Sequence, residues 1–263
     1  MSAGLPRDHI LRPRLPLIDL TAPIHCDPPE LPDVLRTDVA YEDHAAGAAA
    51  IEALFGVGPE LLRDGEGWAT EAFTRFGTHN STHVDAPWHY NSEVDGRRAQ
   101  TIDELPLEWF LAPGVVIDAT DRADGEALTA ADLEERVPCA LAELDIVLVH
   151  TGRDEFYGQP DYIARGPGVT ADGTRWLYER GVRVMGIDAW GWDAPLHLQA
   201  ERAKAEGRPG ILWEAHQCGL AYSQIERLVN LAALPPHGFT VSCFPLRLVG
   251  GSAAPARVVA EIP

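Results

Sequence analysis

The chain has 263 residues, 46% of them apolar and 23% charged, which is ordinary for a globular protein able to bury a sizeable core. Its formal net charge is −19 and no basic run occurs, so it would repel a polyanion, and nucleic-acid binding is excluded. No stretch of about 18 uncharged apolar residues is present, so no membrane span is expected.

The N-terminus lacks a basic segment followed by an apolar run, so no secretory leader is read there. Cys26, Cys139, Cys218 and Cys243 are scattered and form no Cys-x-x-Cys spacing, which argues against a disulfide scaffold or a thiolate zinc site. A cytoplasmic, reducing compartment fits that usage. Each cysteine reads as a small apolar residue, with Cys218 a candidate for a pocket wall because it lies close to His216.

Residues 1–14 are aperiodic and read as an N-terminal arm, and residues 15–263 read as one domain without repeat or linker. Leu17–Thr21 reads as a short strand that runs into a proline-rich loop containing His25. His44–Phe55 is alanine-rich and helical, Gly56–Gly67 is loop, and Trp68–Phe76 alternates as a strand. Val115–Thr120, Asp145–Thr151 and Val182–Asp188 are apolar, β-branched runs typical of buried strands. Helices are expected over Thr129–Val137, with Thr129 as N-cap and Asp132 in the capping-box position, and over Thr170–Arg180, which ends at Gly181. Phe239–Leu248 and Ala256–Ile262 read as two strands joined across Gly250 and Gly251. Strand–helix–strand units of this kind place the chain in the α/β or mixed α+β class.

The most informative stretch is Gly-Thr-His79-Asn-Ser-Thr-His83-Val-Asp85-Ala-Pro-Trp88-His89-Tyr90. Histidine and aspartate are the usual nitrogen and oxygen ligands of zinc, manganese or iron. On a helix, His79 and His83 would share a face, but Ser, Thr and Val are poor helix formers and Pro87 limits any continuation. On a strand, His83 and Asp85 point to the same side, and a kink near Ser81 brings His79 to the same ion. The strand reading is preferred, and Pro87 then turns the chain so that His89 approaches as an acid/base group.

This segment resembles the His-x-Gly-Thr-His-x-Asp-x-Pro-x-His signature of the cyclase family of metal-dependent hydrolases, which has formamidase, isatin hydrolase and polyketide cyclase branches. The match is His79, Thr82, His83, Asp85, Pro87 and His89, with Ser81 in place of the signature's glycine. The stretches Leu17–Thr21, Asp145–Gly152, Gly186–Asp188 and the C-terminal part around Asn230 and Cys243–Arg247 are similar to further parts of that family. The resemblance implies a swivelling β/β/α-type domain, a homodimer or homotetramer, a small-molecule substrate, and one or two divalent ions, Zn2+ or Mn2+. It also implies that His216 and Glu226 complete a second metal position, as in formamidases, or that Gln224 sits beside a single metal, as in isatin hydrolases. If residues 224–226 form a strand, Gln224 and Glu226 share a face; on a helix they diverge.

Trp88, Trp190, Trp192 and His25 are candidates for the substrate pocket, Trp190 and Trp192 with the alternative of packing in the core or at an oligomer contact. Asp188 reads either as support for a metal-bound histidine or as a turn residue. Three protein ligands leave coordination positions open, as catalytic sites do. The leading expectation is hydrolysis of a small amide, lactam or ester, with His89 as general acid/base and His216 as a further catalytic residue. The competing expectations are a metal-assisted aldol ring closure on a polyketide and a non-catalytic, metal-stabilised binding protein.

Overall fold

The computed structural model describes residues 15–28 and 31–263. The arm expected over residues 1–14 lies outside the described residues. The central element is a nine-stranded mixed sheet. Its strands in chain order are β1 (Leu17–Asp19), β2 (His83–Asp85), β3 (Leu111–Asp118), β4 (Ile146–His150), β5 (Val184–Ile187), β6 (Ser223–Glu226), β7 (His237–Ser242), β8 (Ala253–Pro255) and β9 (Val259–Glu261). Across the sheet they run β1-β9-β7-β3-β4-β5-β6-β2-β8. The four strands β3, β4, β5 and β6 are mutually parallel, and antiparallel pairs flank them on both sides.

The parallel strands are buried on both faces, which is why they read as continuous apolar runs. Side chains alternate between two cores. Ile146, Leu148, Val184 and Ile225 enter one, while Val147, Val149, Met185 and Ile187 enter the other. Helices α3 (Ala130–Arg136) and α4 (Ala171–Glu179) supply Leu133 and Leu177 to the second core. Helix α1 (His44–Phe55) has the expected bounds because its ends are locally determined. The Asp43 carboxylate accepts from the amides of Ala45 and Ala46 at 3.0 Å each, and Gly56 closes the helix in a left-handed conformation. The Thr129/Asp132 capping box is present as read from sequence.

Two expectations are corrected. β7 and β9 do pair, but they are not a simple hairpin across the glycines: the connection travels to the opposite edge of the sheet, where β8 pairs with β2. Pro255 has no amide to donate, which suits an edge strand. Helix α5 (Leu196–Glu206) was not read at all; it buries only Gln199, so it carries no clear apolar stripe. Among the described residues, no helix is long and apolar enough to cross a membrane.

Candidate metal centre and cavity

The site forms where β2 and β6 lie side by side. Their antiparallel register sets Glu226 opposite His83 and Gln224 opposite Asp85. Val84 and Ile225, the intervening residues, enter one core, so the four polar side chains all project from the other face. The strand reading of residues 224–226 is therefore the correct one, and Gln224 and Glu226 do share a face.

His79 precedes β2 in a turn closed by the Asn80 amide donating to Gly77 O at 3.0 Å. That turn brings His79 Nδ1 to 2.8 Å from Asp85 Oδ1, and His83 Nε2 lies 3.2 Å from the same oxygen. Ser81, standing where the signature has glycine, is not among the residues with positive φ. The backbone there needs no glycine. Its carbonyl accepts from His83 Nδ1 at 2.7 Å. A carbonyl only accepts, so Nδ1 carries the proton and Nε2 presents a lone pair to the site.

After β2, Pro87 begins the short helix α2 (Pro87–Tyr90), where its fixed φ and missing amide suit the first position. The helix lays His89 against His79, with ring centroids 4.0 Å apart. The far side of the site comes from residues much later in the chain. His216 Nε2 lies 3.4 Å from Glu226 Oε1, while its Nδ1 meets Asp193 Oδ2 at 2.5 Å. Glu226 Oε1 also accepts from the Trp192 amide at 3.0 Å, and its Oε2 lies 3.6 Å from His83 Nε2.

The ligand-type atoms of His79, His83 and Asp85 cluster within 4.8 Å of one another, and so do those of Asp85, His89 and His216. Asp85 belongs to both groups. His83 Nε2, both carboxylate oxygens of Asp85 and Gln224 Oε1 are buried without a hydrogen-bond partner. Four orphaned buried acceptors on neighbouring strands, three of them on the clustered His83 and Asp85, would be costly unless a cation satisfies them. The donor set of nitrogen and carboxylate oxygen fits a divalent metal such as Zn2+ or Mn2+.

The electrostatics separate the histidines. Burial pushes the His89 pKa down to about 4, assisted by the neighbouring His79 and His216, so its imidazole is neutral at pH 7. Burial also opposes the charged form of His216, but hydrogen bonds to Asp193 and Glu226 outweigh it and raise its pKa to about 10. Asp85 is held well below the carboxylate range: burial opposes ionisation, and the surrounding histidines overcome it.

A cavity of about 310 Å³ opens onto the centre, bordered by His79, His89, His216, Glu226, Trp190 and Trp213 among others. The other aromatic candidates lie elsewhere. Trp192 is in the core, fully buried, with Nε1 donating to Thr174 Oγ1 at 2.9 Å; only its amide serves the site. Trp88 points outward, 39% exposed, with the Arg98 guanidinium over its ring. His25 is exposed and lines a neighbouring cavity of about 380 Å³ with Tyr157. Cys218 packs against the second core and does not border the metal cavity. Asp188 takes neither expected role: its carboxylate ties down the end of the neighbouring strand, accepting from the Thr151 amide, the Thr151 hydroxyl and the Gly152 amide at 2.6–2.8 Å.

Three residues of this half were missed as site residues from sequence. Asp193 orients His216, Trp213 stacks on the His216 ring at 5.0 Å and 12°, and Arg227 borders the cavity beside Glu226. The signal for Asp193 was its place just beyond the end of a central strand. Nothing local marks Trp213 or Arg227, which turn into the cavity through left-handed backbone conformations, φ 61° and 59°.

The chain matches the Cyclase family model, described as "Putative cyclase", over residues 18–194. It is 31% identical over 188 residues to kynurenine formamidase of Salinibacter ruber, covering 70% of this chain and 76% of that one. It is 28% identical over 200 residues to isatin hydrolase of Roseibium aggregatum, covering 71% and 73%. Among solved structures, isatin hydrolase A from Ralstonia solanacearum superposes with a TM-score of 0.72 at 25% identity over 100% of both chains. Isatin hydrolase A from Labrenzia aggregata, bound to benzyl benzoate, gives 0.70 at 26% identity over 96% of each. With the signature residues gathered on one sheet face and a family match over most of its length, the chain belongs to the cyclase family and is an enzyme of that family of metal-dependent hydrolases.

Proposed function

We propose that the protein hydrolyses a small aromatic or cyclic amide, lactam or ester at a divalent metal held by His79, His83 and Asp85. The observation that carries this reading is the set of orphaned buried acceptors, His83 Nε2 and both oxygens of Asp85, aimed at one point beside a neutral histidine. Gln224 Oε1 is a further oxygen donor, and the second position that the family resemblance implies would fall on His216 and Glu226, whose Nε2 and Oε1 lie 3.4 Å apart. The metal supplies a Lewis acid for the carbonyl and makes a nucleophile available at neutral pH.

The chain's own residues do the rest. His89 is neutral at pH 7, so it accepts a proton from the attacking water and returns one to the leaving nitrogen or oxygen. His216, held by Asp193, faces the negative charge that develops on the carbonyl oxygen. Trp213 packs against both rings and keeps them in place. At about 310 Å³ the metal cavity itself is at the low end of the roughly 300–1,000 Å³ typical of small-molecule sites.

The test is a panel of aryl formamides, isatin-type lactams and aryl esters, followed by absorbance with and without chelator. Turnover is expected, lost with EDTA and restored by Zn2+ or Mn2+. His89→Ala is expected to lower kcat about 10²–10³-fold while metal content is kept. Turnover indifferent to chelation, or unchanged in His89→Ala, would overturn the reading.

A further inference from the structure

Strand β6 ends with a break in its own pattern. Gln224 and Glu226 face the metal centre and Ile225 faces the opposite core. Continued alternation would drive Arg227 into that opposite core, among Leu20, Val84 and Leu228. Instead Arg227 takes a left-handed conformation, φ 59°, which is costly for a large side chain. It is pinned there from both sides: its amide donates to Ala189 O at 3.1 Å, and its carbonyl accepts from Thr82 Oγ1 at 2.6 Å. The effect is that two consecutive residues, Glu226 and Arg227, border the same cavity.

The guanidinium is buried, with Arg227 only 6% exposed. Among the described residues, no carboxylate stands within ion-pair distance of it. Among those residues the guanidinium makes one hydrogen bond, from Nε to Trp190 O at 3.4 Å, and it lies 4.7 Å from the Trp190 ring centroid. Acidic residues are not scarce in this chain, with 40 against 21 basic ones. Arg153 and Arg165, nearby, are each paired with aspartate. Glu226 and Asp85 attract it only through space; a buried guanidinium with no direct ion pair is poorly compensated, and an arriving anion relieves that cost.

Arg227 also stands at a junction. Together with Leu35, Asn80, Ile163 and Trp190 it borders both the metal cavity and the neighbouring cavity that contains His25 and Tyr157. A molecule reaching from one to the other passes the guanidinium. We propose that Arg227 is a specificity-determining residue that binds a carboxylate on the substrate, so that the enzyme takes amides, lactams or esters bearing a second, non-reacting carboxylate. This deepens the hydrolase reading and rests on it. The planar guanidinium fork matches a carboxylate with two parallel hydrogen bonds. Leu35, Ile163 and Trp190 suit the hydrocarbon part of such a molecule.

The test combines a binding probe with a matched substrate pair, using metal-loaded wild type, Arg227→Gln and Arg227→Lys. Calorimetry with benzoate is expected to show affinity weakened about 10–100-fold in Arg227→Gln and about 5–10-fold in Arg227→Lys, with benzamide binding unchanged. Kinetics with 2-formamidobenzoate and 2-formamidobenzamide are expected to show KM rising in Arg227→Gln for the carboxylate compound alone. If Arg227→Gln does not fold, Arg227→Lys decides. Equal benzoate affinity in wild type and variant would mean that the anion binds at the metal alone, and the proposal fails. If both substrates are turned over and both are affected equally, the recognition role fails and the hydrolase reading stands. If neither is turned over but benzoate binding still depends on Arg227, the hydrolase reading fails and the anion site stands.

Discussion

The segment His79–His89 and the segment Trp213–Arg227 border one cavity but are built differently. In the first, a turn, a three-residue strand and a proline-started helix deliver four chemical groups within eleven residues. In the second, each group depends on something distant. His216 is oriented by Asp193, Glu226 by the Trp192 amide, and the carbonyl of Arg227 by Thr82. The family match, residues 18–194, contains the first segment and stops before the second. The difference lies in construction: the first segment is set by neighbours in sequence, the second by partners brought together from across the chain.

This division can be broken experimentally. The largest effect is expected from Asp85→Asn, because Asp85 belongs to both ligand clusters. Metal content by elemental analysis should fall to near zero, and activity by about 10⁴-fold or more. Retention of metal in that variant would show that Asp85 is not an essential ligand.

Asp193→Asn probes the assembled segment. Loss of an orienting carboxylate behind a functional histidine is expected to cost about 10–100-fold in metal affinity or activity. The same variant has a signature in the metal-free protein. The fold raises the His216 pKa to about 10 from the usual 6.5, so the protonated form is favoured when folded. That stabilisation is complete below about pH 6.5 and is lost as pH rises towards 10. Urea unfolding of metal-free wild type at pH 6.5, 8 and 9.5 should show the decline, and Asp193→Asn should flatten it. A wild-type profile without that decline would remove the assigned pair.

The smallest effects separate the tryptophans. Trp192→Ala should destabilise by about 3–5 kcal/mol, because a fully buried side chain leaves a cavity. Trp88→Ala, at an outward-facing position, should stay within about 0.5 kcal/mol and leave KM unchanged. A large KM change in Trp88→Ala would place substrate outside the cavity described above.

The sequence by itself determined what is local. Capping residues set α1 and α3, continuous β-branched runs marked β4 and β5, and the spacing of His79, His83, Asp85 and His89 located the first half of the centre. These follow from backbone periodicity and from interactions within a few residues. Only the tertiary structure decided what lies opposite what. It paired Glu226 with His83 across two strands, sent Trp192 to the core and Trp213 to the cavity, and set Asp193 behind His216. It also turned Arg227 out of strand alternation through a left-handed residue pinned by Ala189 and Thr82. Strand register and such turns are fixed by packing between distant segments, so no local pattern in the chain encodes them.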